Sequence, residues 1–267
     1  MQPLILVRGG GDLATGVIHR LHSAGFPVLA LETPQPAAIR RQVAFSEAVY
    51  QGTATVEGVT ARLIPALSHL SRTLAAGEVP LLIDPEGSSI PRIRPAVVVD
   101  AILAKRNLGT HRGMAPLTIA LGPGFTAGDD VDFVIETMRG HDLGRILTAG
   151  PAQPNTGVPG LVGGVSAKRV IHAEQAGILH ARRAIGDRVE QGEPIAVISN
   201  AAGDFPVPAS ISGLLRDLIR DGFPVTKGLK IADIDPRAGE EKNCFTISDK
   251  ARCIAGSVLE LVCRHTR

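Results

Sequence analysis

The stretch that most constrains this chain is Leu4 to Glu32, LILVRGGGDLATGVIHRLHSAGFPVLALE. An apolar run from Leu4 to Val7 is closed by Arg8 and followed by three consecutive glycines, Gly9, Gly10 and Gly11. Leu13, Val17, Leu21 and Ala24 then recur at helical spacing, and Gly25 stands where a left-handed C-cap would. A second apolar run, Val28 to Leu31, ends in Glu32. The pattern predicts strand, glycine turn, helix and strand, with an acid at the tip of the second strand.

A dinucleotide site asks for this order. Glycine permits a tight turn and lets backbone N–H groups approach a pyrophosphate. The helix that follows points its unpaired N–H groups and partial positive charge at the phosphates. An acid about 20 residues on accepts hydrogen bonds from ribose hydroxyls. Gly9, Gly11 and Ala14 fit G-x-G-x-x-A around Gly10, and Glu32 lies 21 residues after Gly11. Asp12 opposes a phosphate unless its side chain caps the helix. The competing reading is a glycine turn that only packs helix on strand.

Further along, residues 47–64 alternate around Gly52 and Gly58, which predicts short strands or a hairpin. Pro65 to Ala76 reads as a helix with Gly77 after its end, and Leu81 to Asp84, Val97 to Leu103 and Leu117 to Leu121 read as strands. Strands alternating with helices imply an α/β fold, a Rossmann-like, doubly wound parallel sheet over about residues 1–125. Ligands of such sheets bind at the carboxyl ends of the strands. Asp84, Glu86, Asp100, Lys105 and Asn107 fall there, as do Gly122 and Gly124 of the run Gly122-Pro123-Gly124. Arg40 and Arg41, just past the second strand, are candidates for a phosphate or carboxylate, or form a solvated basic turn.

Residues 126–165 form an extension rich in glycine, proline and polar groups. Asp129, Asp130 and Asp132 precede an apolar strand from Val131 to Ile135, and Glu136, Arg139, His141 and Asp142 follow it. Acid, arginine and histidine at a strand end can move a proton or hold a metal, but no H-x-x-H or H-x-x-x-H spacing supports the metal. Pro151 to Gly164, which contains Asn155, reads as a long loop or lid.

Residues 166–237 carry a repeat with an offset of 36. Ala173 matches Ala209, Gly177 matches Gly213, Gly186 matches Gly222 and Val189 matches Val225. Gly192 pairs with Gly228, Ile195 with Ile231, Ala196 with Ala232 and Ile198 with Ile234. Two related halves of short strands and glycine turns describe a small pseudo-symmetric β-barrel. The pattern resembles the biotinyl/lipoyl type of barrel-sandwich domain, whose carrier versions present a lysine on the hairpin between the halves. Here the joining segment, Ser199 to Val207, has no lysine, so docking, oligomerisation or ligand covering fits better than a swinging arm. Residues 238–267 form a tail in which Ser248 caps a helix bearing Ile254, Val258, Leu261 and Val262.

Composition excludes some classes. The net charge is +2, aromatic residues make up 3%, and no basic block occurs, which leaves neither a phosphate footprint nor stacking platforms for nucleic acid. No apolar run is long enough for a membrane span, and the N-terminus lacks a basic region followed by an apolar one. A soluble, cytoplasmic protein is expected. Cys244, Cys253 and Cys263 match no zinc spacing and are expected as free thiols.

Taken in order, RGGGDLATGVIHRL, VDAILAKRNLGT, ALGPGFTAG with IETMRGHDLGRI, PNTGVPG and KIADIDPR are similar to the YqeB-type accessory proteins of selenium-dependent molybdenum hydroxylases. The N-terminal half is also similar to the Rossmann-type domain of xanthine dehydrogenase accessory proteins, which handle molybdenum cofactor. The resemblance implies a role in maturing the hydroxylases, with a hydroxylase apoenzyme or other maturation factors as partners and possible self-association. NAD(P) or molybdopterin cytosine dinucleotide would then sit on Gly9, Gly10, Gly11, Asp12 and Ala14, with Glu32 on a ribose and Gly122, Gly124 and Asn155 nearby. Arg139, His141 and Lys105 are the candidates for chemistry. An NAD(P)-dependent oxidoreductase of the same pathway would use His141 with Lys105 as its acid/base pair, and a scaffold would use none of these groups. Selenium transfer calls for an activated nucleophilic cysteine, and none of the three lies in a recognised motif or a basic glycine-rich setting, which argues against a cysteine relay for selenium.

Overall fold

A computed structural model describes residues 2–158 and 160–266. The chain divides into two units, the first built from Met1–Pro36, Val43–Thr156 and Ile247–Arg267, the second from Ala37–Gln42 and Gly157–Thr246. This differs from the boundaries expected near residues 125, 165 and 237. The sheet of the first unit continues past residue 125, and the final helix belongs to that unit.

The first unit opens with β1 (Ile5–Arg8), α1 (Asp12–Ser23) and β2 (Val28–Glu32). A short helix α2 (Ala48–Gln51) leads into the hairpin β3 (Thr53–Val56) and β4 (Val59–Ile64). Then come α3 (Leu70–Ala75), β5 (Val79–Ile83), α4 (Ile90–Ile93), β6 (Val97–Asp100) and β7 (Leu117–Leu121). Two-residue strands β8 (Thr126–Ala127), β10 (Ile146–Leu147) and β11 (Gly150–Pro151) surround β9 (Phe133–Ile135). The main sheet runs β10-β9-β7-β6-β1-β2-β5-β4-β3. Strands β9 through β4 in that order are mutually parallel, and the edges β10 and β3 are antiparallel.

Central strands of such a sheet are covered on both faces, so they read as continuous apolar runs. In β1, Ile5 and Val7 enter one core with Val17, Ile18 and Leu21 of α1, while Leu6 enters the opposite one with Leu29, Ile90 and Val98. The connection from β6 to β7 carries only a single 3-10 turn in place of a crossover helix. The face it leaves bare is covered by α5 (Asp249–His265), whose Ala251, Ile254, Val258 and Leu261 join the core of Val97, Val99, Leu117 and Ile119. Helix α5 also packs on α1 closely enough that a Cβ on Gly16 would lie 2.8 Å from the Ala251 Cβ. The predicted helix from Pro65 shrinks to α3, preceded by a 3-10 turn.

The second unit holds β12 (Val170–His172), β13 (Gly177–Ala181), β14 (Arg188–Val189) and β15 (Pro194–Asn200), then β16 (Gly203–Pro208), β17 (Gly213–Leu218), β18 (Pro224–Val225) and β19 (Lys230–Asp235). They form two four-stranded sheets, β12-β19-β17-β14 and β16-β15-β13-β18. The two halves exchange their short strands: β13 pairs with β18 through Gly177↔Val225, and β17 with β14 through Gly213↔Val189. The backbone bonds repeat at the same offset. Gly186 N–H donates to Leu215 O and Gly222 N–H to Leu179 O; Gly192 N–H donates to Ala209 O and Gly228 N–H to Ala173 O. Leu179, Ile195, Ile198, Leu215, Ile231 and Ile234 fill the interior. Among the described residues no helix is long and apolar enough to cross a membrane.

Candidate functional site

In the main sheet the chain moves from β1 to β2 and β5 on one side, then returns to β6, β7 and β9 on the other. The reversal falls between β1 and β6, and the carboxyl ends of strands at such a point open a crevice for ligands. Arg8 and Asp100 end these two strands in register. Arg8 is buried; its Nη1 donates to Thr110 Oγ1 (2.5 Å) and its Nη2 to Pro85 O (2.9 Å). The Thr110 hydroxyl in turn donates to Asp100 Oδ2 (2.6 Å), and Arg8 and Asp100 stand 3.9 Å apart. Burial pushes the Asp100 carboxyl up, against the Thr110 hydroxyl, the Ile102 N–H and the Arg8 charge, which favour its ionised form.

The glycine loop follows Arg8. Gly9 has φ +104°, and a Cβ there would lie 2.8 Å from Ala101 O, so only glycine fits against the β6 loop. Gly10 N–H donates to Glu32 Oε2 (2.7 Å), while Gly10 O accepts from Ser46 N–H (2.8 Å) and Thr15 Oγ1 (3.1 Å). Thr15 Oγ1 also accepts from Phe45 N–H (2.8 Å). Gly11 is the N-cap of α1 at φ −65°, ψ −177°, without a side-chain cap, and a Cβ there would meet nothing within 4 Å. Among the described residues no acceptor takes the Gly11 N–H. The loop is thus clamped from behind at Gly9 and Gly10 and open in front at Gly11.

Beside it lies a cavity of about 530 Å³ bordered by Arg8, Gly9, Glu32, Asp84, Ile102 and Leu108. That volume falls inside the range of small-molecule and cofactor sites. The Glu32 carboxylate fastens the loop, accepting from Gly10 and from Thr33 N–H (2.7 Å), yet it lines the cavity and keeps further lone pairs for a ligand hydroxyl. Burial raises its pKa, against the two N–H groups. Asp84 accepts from Ser88 N–H and Oγ and from Ser89 N–H at 2.8–3.0 Å; burial opposes its ionised form, but these bonds hold its carboxyl below the usual range. In the loop after β6, Leu103 and Lys105 both adopt φ +61°, a backbone state that side chains resist and that ligand-binding loops often hold.

The other predicted residues divide. Ala14 is buried in the first turn of α1, and Asp12 is the first residue of that helix. Gly122 and Gly124 stand at φ +75° and +105°, where a Cβ would lie 2.5 Å from Thr137 Oγ1 and 2.6 Å from Arg106 Cα. Their bareness serves the chain's own packing. Arg139 is an exposed bidentate partner of Asp249 (2.9 and 3.1 Å). His141, Lys105 and Asn155 are exposed, and among the described residues no hydrogen bond or ion pair joins His141 to Lys105. Arg40 and Arg41 belong to the second unit, where Arg40 Nε lies 3.3 Å from Asp217 Oδ1 and Arg41 Nε donates to Leu218 O (3.2 Å). The acids near β9 hold the local chain: Asp130 accepts from Thr126 N–H, Asp132 from Thr118 and Arg112, and Glu136 from Met138 and Gln153 N–H.

Sequence reasoning missed Thr15, Ser46, Thr110 and Lys250. Arg8, a charge closing an apolar strand, and Asp100, at the end of another, were the sequence signals of the buried pair. Lys250 is a half-buried ammonium in the first turn of α5; burial and the Arg139 charge lower its pKa, while Asp12, Glu136 and Asp249 favour its charged form.

No family model matches the chain. Over 257 residues it is 50% identical to a protein of Escherichia coli (strain K12) called "Uncharacterized protein YqeB", a match that covers 96% of this chain. The chain spans 47%, about half, of that relative's length. Among solved structures it has a likeness to a succinylglutamate desuccinylase/aspartoacylase from Rhodobacter sphaeroides, at 15% identity and a TM-score of 0.31 over 88% of this chain and 86% of that one. An aspartoacylase family protein from Mesorhizobium loti gives 13% identity and a TM-score of 0.31 over 89% and 87%. Scores of that size establish no shared fold and carry nothing about function. The identity to the Escherichia coli protein, by contrast, supports kinship with YqeB over the shared region.

Proposed function

We propose that the first unit is a Rossmann-like, doubly wound dinucleotide-binding domain. The second is a barrel-sandwich domain of the biotinyl/lipoyl kind without a carrier lysine. The protein then acts as an accessory factor in the maturation of selenium-dependent molybdenum hydroxylases, binding NAD or a molybdopterin dinucleotide and presenting it to a partner apoenzyme. The observation that carries the binding role is the glycine loop, clamped at Gly9 and Gly10 and open at Gly11, beside a cavity of about 530 Å³ where the strand order reverses.

The residues present fit such a ligand. The open space and unpartnered N–H at Gly11 suit a phosphate oxygen, and the N-terminus of α1 adds favourable charge. Glu32, at the tip of β2 and on the cavity, suits ribose hydroxyls and repels a 2′-phosphate, which favours NAD over NADP. Binding is preferred to turnover because the one acid/base pair the sequence offers, His141 with Lys105, is joined by no hydrogen bond or ion pair among the described residues. The test is mass spectrometry of ligands released from gently purified protein, followed by calorimetric titration with NAD, NADP and molybdopterin cytosine dinucleotide. Recovery or tight binding of NAD or the pterin dinucleotide, with NADP weaker, is expected. Empty protein that binds none of the three overturns the reading.

A further inference from the structure

Among the described residues of the first unit, Ile83 and Leu108 are the large apolar side chains left exposed, at 41% and 39%. A single exposed apolar residue is ordinary, but both of these border cavities at the carboxyl ends of one sheet. Leu108 lines the cavity of about 530 Å³ beside the glycine loop. Ile83 lines a second one of about 400 Å³, with Leu67, Ser68, Asp84, Ser88 and Arg92. The register fixes their order. Glu32 ends β2 opposite Ile83 of β5, and Leu82 lies opposite Ile64, the last residue of β4. Asp84 borders both cavities and donates its N–H to Glu32 O (3.0 Å). The two cavities adjoin there, the second displaced from β2 toward β4.

Phosphates at Gly11, after β1, and a ribose at Glu32, at the end of β2, put the base of a nucleotide next in that line. The lining suits a flat heterocycle. Ile83 offers an apolar platform, and Arg92 of α4 is exposed, with no hydrogen bond or ion pair to its guanidinium among the described residues. A planar guanidinium stacks on aromatic faces. Asp84 supplies a charge for the ring edge. The Ser88 N–H and hydroxyl and the Ser89 N–H hold its carboxylate at 2.8–3.0 Å. A carboxylate fixed in this way attracts the N–H groups of an amine and repels a carbonyl oxygen.

We propose that this second cavity seats the base of the bound nucleotide, and that Asp84 at its wall selects bases with an exocyclic amine, adenine or cytosine, over their keto counterparts. This rests on the dinucleotide reading above. Ile83 and Arg92 hold the faces of the ring, and Asp84 reads its edge.

The experiment is calorimetric titration of the full chain and of its Ile83→Ser and Asp84→Asn variants, with a thermal scan to check that each is folded. The probes are two pairs that differ only in amine against carbonyl, ADP with IDP and CDP with UDP, together with inorganic pyrophosphate. In the pair that binds, the amino member should be tighter by about tenfold or more. Ile83→Ser should weaken that nucleotide by about tenfold and leave pyrophosphate unchanged. Asp84→Asn should bring the two members of the pair to nearly equal affinity, because a carboxamide both donates and accepts. The wild-type pairs decide the preference by themselves, so the test stands if Asp84→Asn fails to fold. Nucleotides that bind with no preference, or with the keto member tighter, overturn the base assignment and leave the dinucleotide reading in place. A folded Ile83→Ser that binds as wild type does the same, as does a folded Asp84→Asn that keeps the preference. Failure of all four nucleotides, of NAD and of molybdopterin cytosine dinucleotide to bind overturns both.

Discussion

The sharpest perturbation separates two neighbouring glycines. In Gly9→Ala the added methyl must adopt φ near +104° and sits 2.8 Å from Ala101 O, a backbone atom that cannot swing aside. Left-handed strain costs about 1–2 kcal/mol and the clash adds to it, so a loss of about 3 kcal/mol is expected. In Gly11→Ala the methyl meets nothing within 4 Å and φ is already −65°. Loss of glycine's freedom in the unfolded chain contributes about 0.4–1 kcal/mol, and alanine at an N-cap gives back a similar amount. The net change should stay within about 1 kcal/mol of zero. At about 2–4 °C per kcal/mol, scanning calorimetry should show the first-unit transition falling by about 6–12 °C in Gly9→Ala and moving by less than about 4 °C in Gly11→Ala. Ligand affinity should behave differently. The Gly11 methyl enters the space offered to a phosphate, so titration with NAD or molybdopterin dinucleotide should weaken at least tenfold, or about 1.4 kcal/mol, in a protein of normal stability. A folded Gly11→Ala variant with wild-type affinity would refute the assignment of the loop to phosphate.

Three further substitutions test other buried charges and glycines of the two units. Asp100→Asn strands the buried Arg8 charge, and urea unfolding of the first unit should show a loss of about 3–5 kcal/mol; a loss under 1 kcal/mol would mean that Thr110 and Pro85 alone satisfy Arg8. Gly122→Ala drives a methyl toward Thr137 at φ +75°, and should lower the thermal midpoint by several degrees without altering nucleotide affinity in the fraction that folds. Asp217 is raised to about 7 from 3.8 by burial and by the Asp233 charge, against the attraction of Arg40, Lys230 and Arg216. Its folded form therefore holds a proton that the unfolded chain releases, and stability contributed below pH 3.8 is lost as pH rises to about 7. The stability difference between wild type and Asp217→Asn should shift in favour of the variant across that window and level off above it; a difference independent of pH would count against the raised value.

Much of the first unit was legible because its signals are local. The run before Gly9, the spacing of Leu13, Val17 and Leu21, and Gly25 at φ +89° specify β1, α1 and β2 without reference to anything distant. The hairpin of β3 and β4 was legible for the same reason. What escaped depends on partners far along the chain. An amphipathic helix announces an apolar face and not which sheet it covers, so α5 read as a tail, although its apolar side closes the core over β6 and β7. Gly122 and Gly124 resemble a phosphate loop in sequence, and only the positions of Thr137 and Arg106 reveal that the chain itself needs their bareness. Glu32 was found by spacing, but its hold on Gly10 was not, because an acid after a strand looks the same whether it binds a ribose or a loop.

The second unit makes a related point about repeats. Backbone bonds recur at an offset of 36, yet Ala181, Val197 and Ser199 of the first half become Asp217, Asp233 and Asp235 in the second. Three acids on two strands of one buried sheet are costly, and the raised Asp217 records that cost. The second half has partners that the first lacks. Residues 37–42 lie along β17, with Leu218 N–H donating to Ile39 O (2.9 Å), Arg40 beside Asp217 and Arg41 on Leu218 O. Arg169 and Lys230 pair with Asp233, and Arg216 and Arg237 with Asp235. Here the acids hold a strap contributed by a distant part of the chain, while the hairpin where a carrier lysine would stand has none. The acids of the second half therefore hold residues 37–42 and four basic side chains against β17 and β19, a task that Ala181, Val197 and Ser199 have no charge to perform.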